Sequence, residues 1–312
     1  MRGTNRRGAF TLVELLIAII ITGFVMAAAM ALLFSVFKSY EVNQDISSAK
    51  QRGLIALAAI QPFAHSAGLG LPPDGNPFDQ QAFHRSFDPG LGVVMPLFPS
   101  GAVENRFTSF VQLAEDNETC LLSETEAPAL WMVYAVASGV GTKQGAGFKA
   151  NEEYEIQLSG PLPPAFFSPG DKDSLKSWAL FPSAQSPLFL DKFQEAGGKN
   201  IIEGKVYNDI DVLPFDQLYR MAAAKIKVNN ETLTIDRLDG SGAQPVVDGI
   251  AGLWCEFDRS TRLLTVSVLA RADTRREPGI QGQVDGWPSA APGIEDDAYR
   301  HAVVARTWRI RN

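Results

Sequence analysis

Between Phe10 and Phe37 the chain runs for 28 residues with one charged side chain, Glu14. A segment apolar on every side has no face to offer water, so it must be buried in protein or lipid. Wound as a helix at about 1.5 Å per residue it reaches roughly 42 Å, more than the ~30 Å hydrocarbon core of a bilayer. The preceding Met1–Ala9 carries Arg2, Arg6 and Arg7 and no acid, which marks the cytoplasmic side of a span. A cleaved secretory signal does not fit. Its apolar region is about 7–15 residues and its small-residue cut site follows that region, whereas here Gly8 and Ala9 precede it.

Glu14 sets the second constraint. An ionisable group in a spanning segment is costly and is commonly paired or functional. Near the segment's start it can alternatively snorkel to the interface. The surrounding residues, Gly8-Ala9-Phe10-Thr11-Leu12-Val13-Glu14-Leu15-Leu16, resemble the prepilin processing and methylation motif of the type IV pilin and pseudopilin superfamily. That resemblance implies a peptidase cut on the cytoplasmic side, N-methylation of the new terminus, and a Glu as fifth mature residue. Counting back from Glu14 places the cut at Ala9|Phe10, with Phe10 methylated. Gly is usual before the cut, so Ala9 is a departure, and a cut after Gly8 would displace Glu14 to sixth. The resemblance further implies that Glu14 pairs with the terminal amine of a neighbouring subunit during assembly.

Beyond Lys38, Ile46, Ala49, Gly53, Leu57 and Ile60 keep three- and four-residue spacing among polar residues, as an amphipathic helix requires. Pro62 supplies a stop signal. The expected organisation is a leader at 1–9, a helix at 10–61 with 10–37 in the membrane, and a head at 62–312. In pilin-like proteins the second half of such a helix packs on the head. Many major pilins have a Pro where this chain has Ala31.

The head reads as β-rich. Residues 62–123 are dense in Gly, Pro, Phe and Asp, which suits turns and short strands. Strand patterns follow at 129–137, 154–158, 178–180, 201–207, 225–228, 232–236, 249–258 and 263–270. A turn at 258–262 should join the last two, and 215–225 reads as a short helix. The fold class is therefore α+β: a long N-terminal transmembrane and amphipathic helix packed on an antiparallel β-rich head, as in pilins. The tail, Leu263–Asp273 and then Tyr299–Asn312 closing on Arg311-Asn312, resembles PilW-like minor pilins, as does Leu54–Gly70 with its Ala67-Gly68-Leu69-Gly70 end. Residues 71–250 carry no resemblance. The J-type pseudopilin of type II secretion is a neighbouring family, for which this head is long.

Removing the leader's three arginines from the formal net charge of −7 leaves about −10, which argues against nucleic acid as a partner. No signature of catalysis stands out. His65, His84 and His301 lack metal-ligand spacing, and the loop Ser138–Gly147 lacks the Gly-Lys-Ser/Thr ending of a phosphate loop. No cofactor is expected. Weak calcium candidates are Asp236, Asp239 and Asp248, and separately Glu295, Asp296 and Asp297, acidic loops without EF-hand spacing. Cys120 and Cys255, the only cysteines, read as a disulfide in an oxidising compartment or, for Cys255 in its apolar strand, as a buried thiol. The resemblance implies other minor and major pilins, an inner-membrane assembly platform and the prepilin peptidase as partners. It also implies an inner-membrane single pass with a periplasmic head, before incorporation into a pilus or pseudopilus. The reading from a different class is a periplasmic binding or enzymatic domain that uses the helix only as a tether.

Overall fold

The computed structural model describes residues 11–71, 111–114, 122–123, 126–171, 174–184, 187–206, 209–258, 260–275, 284–293 and 298–311. A long α-helix, α1 (Leu12–Ser66), leads into a head built of β1 (Val111–Ala114), β2 (Leu122–Ser123), β3 (Glu126–Ala127), β4 (Ala129–Gly141), β5 (Ala146–Phe148) and β6 (Glu153–Leu158). The chain continues through β7 (Trp178–Leu180), β8 (Pro187–Ala196), β9 (Lys199–Lys205), β10 (Ile210–Val212) and β11 (Gln217–Asn229). It ends with β12 (Thr232–Asp236), β13 (Ala243–Asp248), β14 (Ile250–Asp258), β15 (Leu263–Arg275) and β16 (Tyr299–Arg309).

Ten strands form one sheet in the order β2-β1-β4-β11-β7-β8-β9-β6, with β12 continuing the edge of β11 beyond β7 and pairing in turn with β13. A second sheet, β16-β15-β14-β3, lies under the helix, and β5 and β10 make a small ribbon. All recorded pairings are antiparallel. The core beneath α1 draws on both larger sheets: Ile60 and Leu57 share one buried cluster with Val266 and Val268 from one and Leu130, Met132 and Ile226 from the other. Further along the large sheet, Trp178 stacks edge-on to Phe189 at 5.4 Å, and a third cluster gathers around Tyr154, Phe181 and Leu190. The fold is thus α+β, with the helix laid on antiparallel sheet.

Two expectations are corrected. Pro62 does not stop α1, which runs on to Ser66. Proline removes its own N–H from the ladder and crowds the carbonyl four residues back, yet beyond it Ala67 N–H donates to Phe63 O at 2.9 Å. Burial of Ala64 and Ala67 in the core favours this extra turn. The reversal comes at Gly68, at φ 75°, where Gly68 N–H donates to Val133 O and Leu69 O accepts from Ala135 N–H at 2.7 Å. The segment 215–225 is not helical: Phe215 sits in a turn at φ 62°, and β11 begins at Gln217. Its alanines have good helix propensity, yet β11 is flanked by β4 on one edge and by β7 and β12 on the other, and Met221, Ala223 and Ala224 are buried. Pairing and packing override the local preference.

Candidate functional site

The start of α1 is built by Thr11 and Glu14. Thr11 backbone N–H donates to Glu14 Oε2 at 3.0 Å, its hydroxyl donates to the same oxygen at 3.1 Å, and Glu14 N–H donates to Thr11 Oγ1 at 3.3 Å. This reciprocal capping box satisfies donors that a helix start leaves open and sets a carboxylate at the positive end of the helix dipole. Glu14 Oε1 makes no hydrogen bond among the described residues. Thr-x-x-Glu ahead of an apolar run was the sequence signal for this cap. Gly8, Ala9 and Phe10, the processing residues expected from the sequence, lie outside the described residues.

From Leu12 to Tyr40 every residue of α1 is exposed, including Phe24, Leu32, Phe34 and Phe37. These 29 residues extend about 44 Å. The segment is long and apolar enough to cross a membrane. Within it Thr22 Oγ1 donates back to Ala18 O at 2.7 Å, and nothing lies within 4 Å of a side chain added at Gly23.

The second half behaves differently. Asp45, Ala49, Gly53, Ala56, Leu57, Ile60 and Ala64 are buried, a single stripe facing the sheets. Gly53 permits the close approach: a Cβ there would lie 2.8 Å from a methyl of Val304 on β16. Polar contacts flank the stripe. Arg300 Nε faces the buried Asp45 carboxylate at 3.9 Å, and Gln61 Oε1 accepts from Arg306 at 2.7 Å. Arg52 donates to Arg271 O at 3.1 Å and pairs with Asp273. Gly249, at φ 75°, makes room for that guanidinium, since a Cβ there would come within 2.6 Å of Arg52 Nη1. Arg271 itself pairs with Glu231 at 2.5 Å and stacks over Tyr299 at 4.2 Å. Residues of β15, β16 and the chain just after Asp248 thus hold the helix to the sheet.

The other candidates fall apart spatially. Asp236 and Asp248 occupy opposite ends of the β12–β13 hairpin, in register with Ala243 and Thr232, roughly 13 Å apart along the strands. Asp236 accepts from Leu238 N–H, Asp248 from the Thr232 hydroxyl, and Asp239 from Ser241 and Lys176. Among the described residues no three metal-ligating side chains gather. Glu295, Asp296 and Asp297 lie outside the described residues. Cys255 is a fully buried thiol opposite Val266, and burial pushes its pKa well above the ordinary thiol range. Cys120, its expected partner, lies outside the described residues, as does His84. His65 is exposed on α1 beside Gln61, and His301 lies on β16. The glycine-rich stretch Ser138–Gly147 passes from β4 to β5 without opening a helix, so it lacks the strand-to-helix context of a phosphate loop.

Comparison with curated proteins and with solved structures finds no match. Residues 4–30 match the family model of the prokaryotic N-terminal methylation motif, and with the apolar helix that follows this supports membrane anchoring and a type IV pilin-like or pseudopilin protein, a class generally structural rather than enzymatic.

Proposed function

We propose that the chain is a PilW-like minor pilin, processed at Ala9|Phe10, methylated on Phe10 and assembled with other minor and major pilins into a type IV pilus. The observation that carries this reading is the division of α1. Its first half offers an apolar surface on all sides, long enough for a bilayer and for the helices of neighbouring subunits, while its second half is locked to the head. The head crosses to the periplasm behind a single span, with the arginine-bearing leader left in the cytoplasm for the prepilin peptidase. Glu14 supplies the assembly contact. One oxygen holds the capping box, and the other accepts the methylated amine of an incoming subunit. An ion pair so formed at the interface, next to the helix dipole, registers each subunit against the next.

The test is Glu14→Ala in the otherwise intact chain, followed by recovery of the protein from sheared surface filaments. The expected outcome is normal membrane insertion with at least ~10-fold less protein in filaments, the loss of one charge-assisted contact. Unchanged incorporation would remove the assembly role of Glu14.

A further inference from the structure

On the face of β4 and β11 that meets α1, register sets Ala222 opposite Tyr134 and Arg220 opposite Val136. Tyr134 and Arg220 are therefore diagonal neighbours on one face, within reach of long side chains, beside the small, buried Ala222. The Phe63 ring borders one side, 6.5 Å from Tyr134, and carries the exposed Arg237 guanidinium at 5.9 Å. Phe166 borders the other, with the Arg220 guanidinium stacked at 4.9 Å.

The hydrogen-bonding groups here are nearly all donors. Arg220 Nη1 donates to Phe166 O at 2.8 Å, but its Nε is buried with no acceptor. Arg237 forms no ion pair, and the Tyr134 hydroxyl makes no hydrogen bond, among the described residues. Asp239 is the nearby acid, and its carboxylate is already taken by Ser241 and by Lys176 at 3.2 Å. Burial raises the Tyr134 phenol pKa against the opposing pull of Arg237 and Arg220, so it stays a neutral donor beside two cations. A buried guanidinium nitrogen without an acceptor is costly, and the planar fork of a guanidinium is suited to the oxygens of a carboxylate.

We propose that Tyr134, Arg220 and Arg237 bind a carboxylate carried on an apolar or aromatic group. The Phe63 and Phe166 rings would cover the attached group while the guanidinium groups take the oxygens. Inorganic phosphate brings no apolar group to set against those rings. The carboxylate can come from a free aromatic acid or from an acidic residue of another protein.

The full-length protein in detergent micelles is titrated calorimetrically with benzoate, with a peptide ending in Phe-Asp, and with inorganic phosphate. Saturable binding of benzoate or of the peptide is expected, with phosphate weaker, and the tighter of the first two identifies the source. Arg237→Gln alters an exposed side chain outside the core and should weaken binding by about 10-fold, the loss of one hydrogen bond to a charged group; Tyr134→Phe should weaken it less. Tighter binding of phosphate, no saturable binding of either carboxylate, or binding unaltered in Arg237→Gln overturns the assignment. Binding in micelles requires no pilus, so failure here leaves the proposed assembly role standing.

Discussion

From Leu12 to Tyr40, α1 presents leucine, isoleucine and phenylalanine in every direction, whereas from Asp45 to Ala64 it buries one stripe dominated by alanine, glycine, leucine and isoleucine against the sheets. The backbone is the same helix throughout, and only the environment its side chains require has changed. Hydrophobicity all round calls for lipid or other helices, and a stripe of small residues calls for a sheet at close range. The head's stability should therefore depend on the second half alone.

Paired substitutions test that division. Ile60→Ala empties a fully buried site beneath the helix and should destabilise the head by about 3 kcal/mol, read as a lower melting temperature by tryptophan fluorescence. Ile20→Ala, on the exposed half, should leave that melting temperature unchanged. Gly53→Ala forces a methyl against Val304. The crowding costs about 1–3 kcal/mol, partly offset by the ~1 kcal/mol gain in helix propensity, so a net loss near 1 kcal/mol is expected. Gly23→Ala, with open space around it, should not destabilise the head. Asp273→Asn removes a pair whose acid is largely exposed and should cost under about 1 kcal/mol, less still in high salt.

Acid should act on the head through turns remote from the helix. The hydroxyl of Ser260, then that of Thr261, and their amides hold the Asp258 carboxyl down to about 2. In the unfolded chain it should titrate near 3.9. Between these values the unfolded state binds the extra proton, so this contribution is complete above about pH 4 and is lost as the pH falls through about 2. Asp258→Asn should flatten the melting temperature of the head across that interval. An unchanged acid profile would show that the carboxylate contributes nothing there.

Much of this molecule was legible in its residues because the relevant signals are local. The apolar run, the spacing of Ala49, Gly53, Leu57 and Ile60, and the turn after Asp258 all follow from chain-neighbour chemistry, and the structure carries all three. Strand β15 was legible through its valines and leucines, with Leu264, Val266 and Val268 buried. The features that escaped depend on partners distant in sequence. The segment 215–225, with Ala222, Ala223 and Ala224, reads as helix until β4 and β7 are known to flank it. The extension past Pro62 depends on a core that only the assembled sheets provide. The grouping of Tyr134, Arg220 and Arg237 spans β4, β11 and the end of β12 and had no sequence signal. The Thr11–Glu14 cap is by contrast local, a Thr-x-x-Glu pattern ahead of an apolar run.

Intact-mass and N-terminal peptide spectrometry of the protein purified from its native membrane tests the pilin-like assignment most directly. A chain beginning at N-methyl-Phe10, lacking Met1–Ala9, is the expected result. A mature chain that retains Met1 would contradict it and leave the helix as a simple tether.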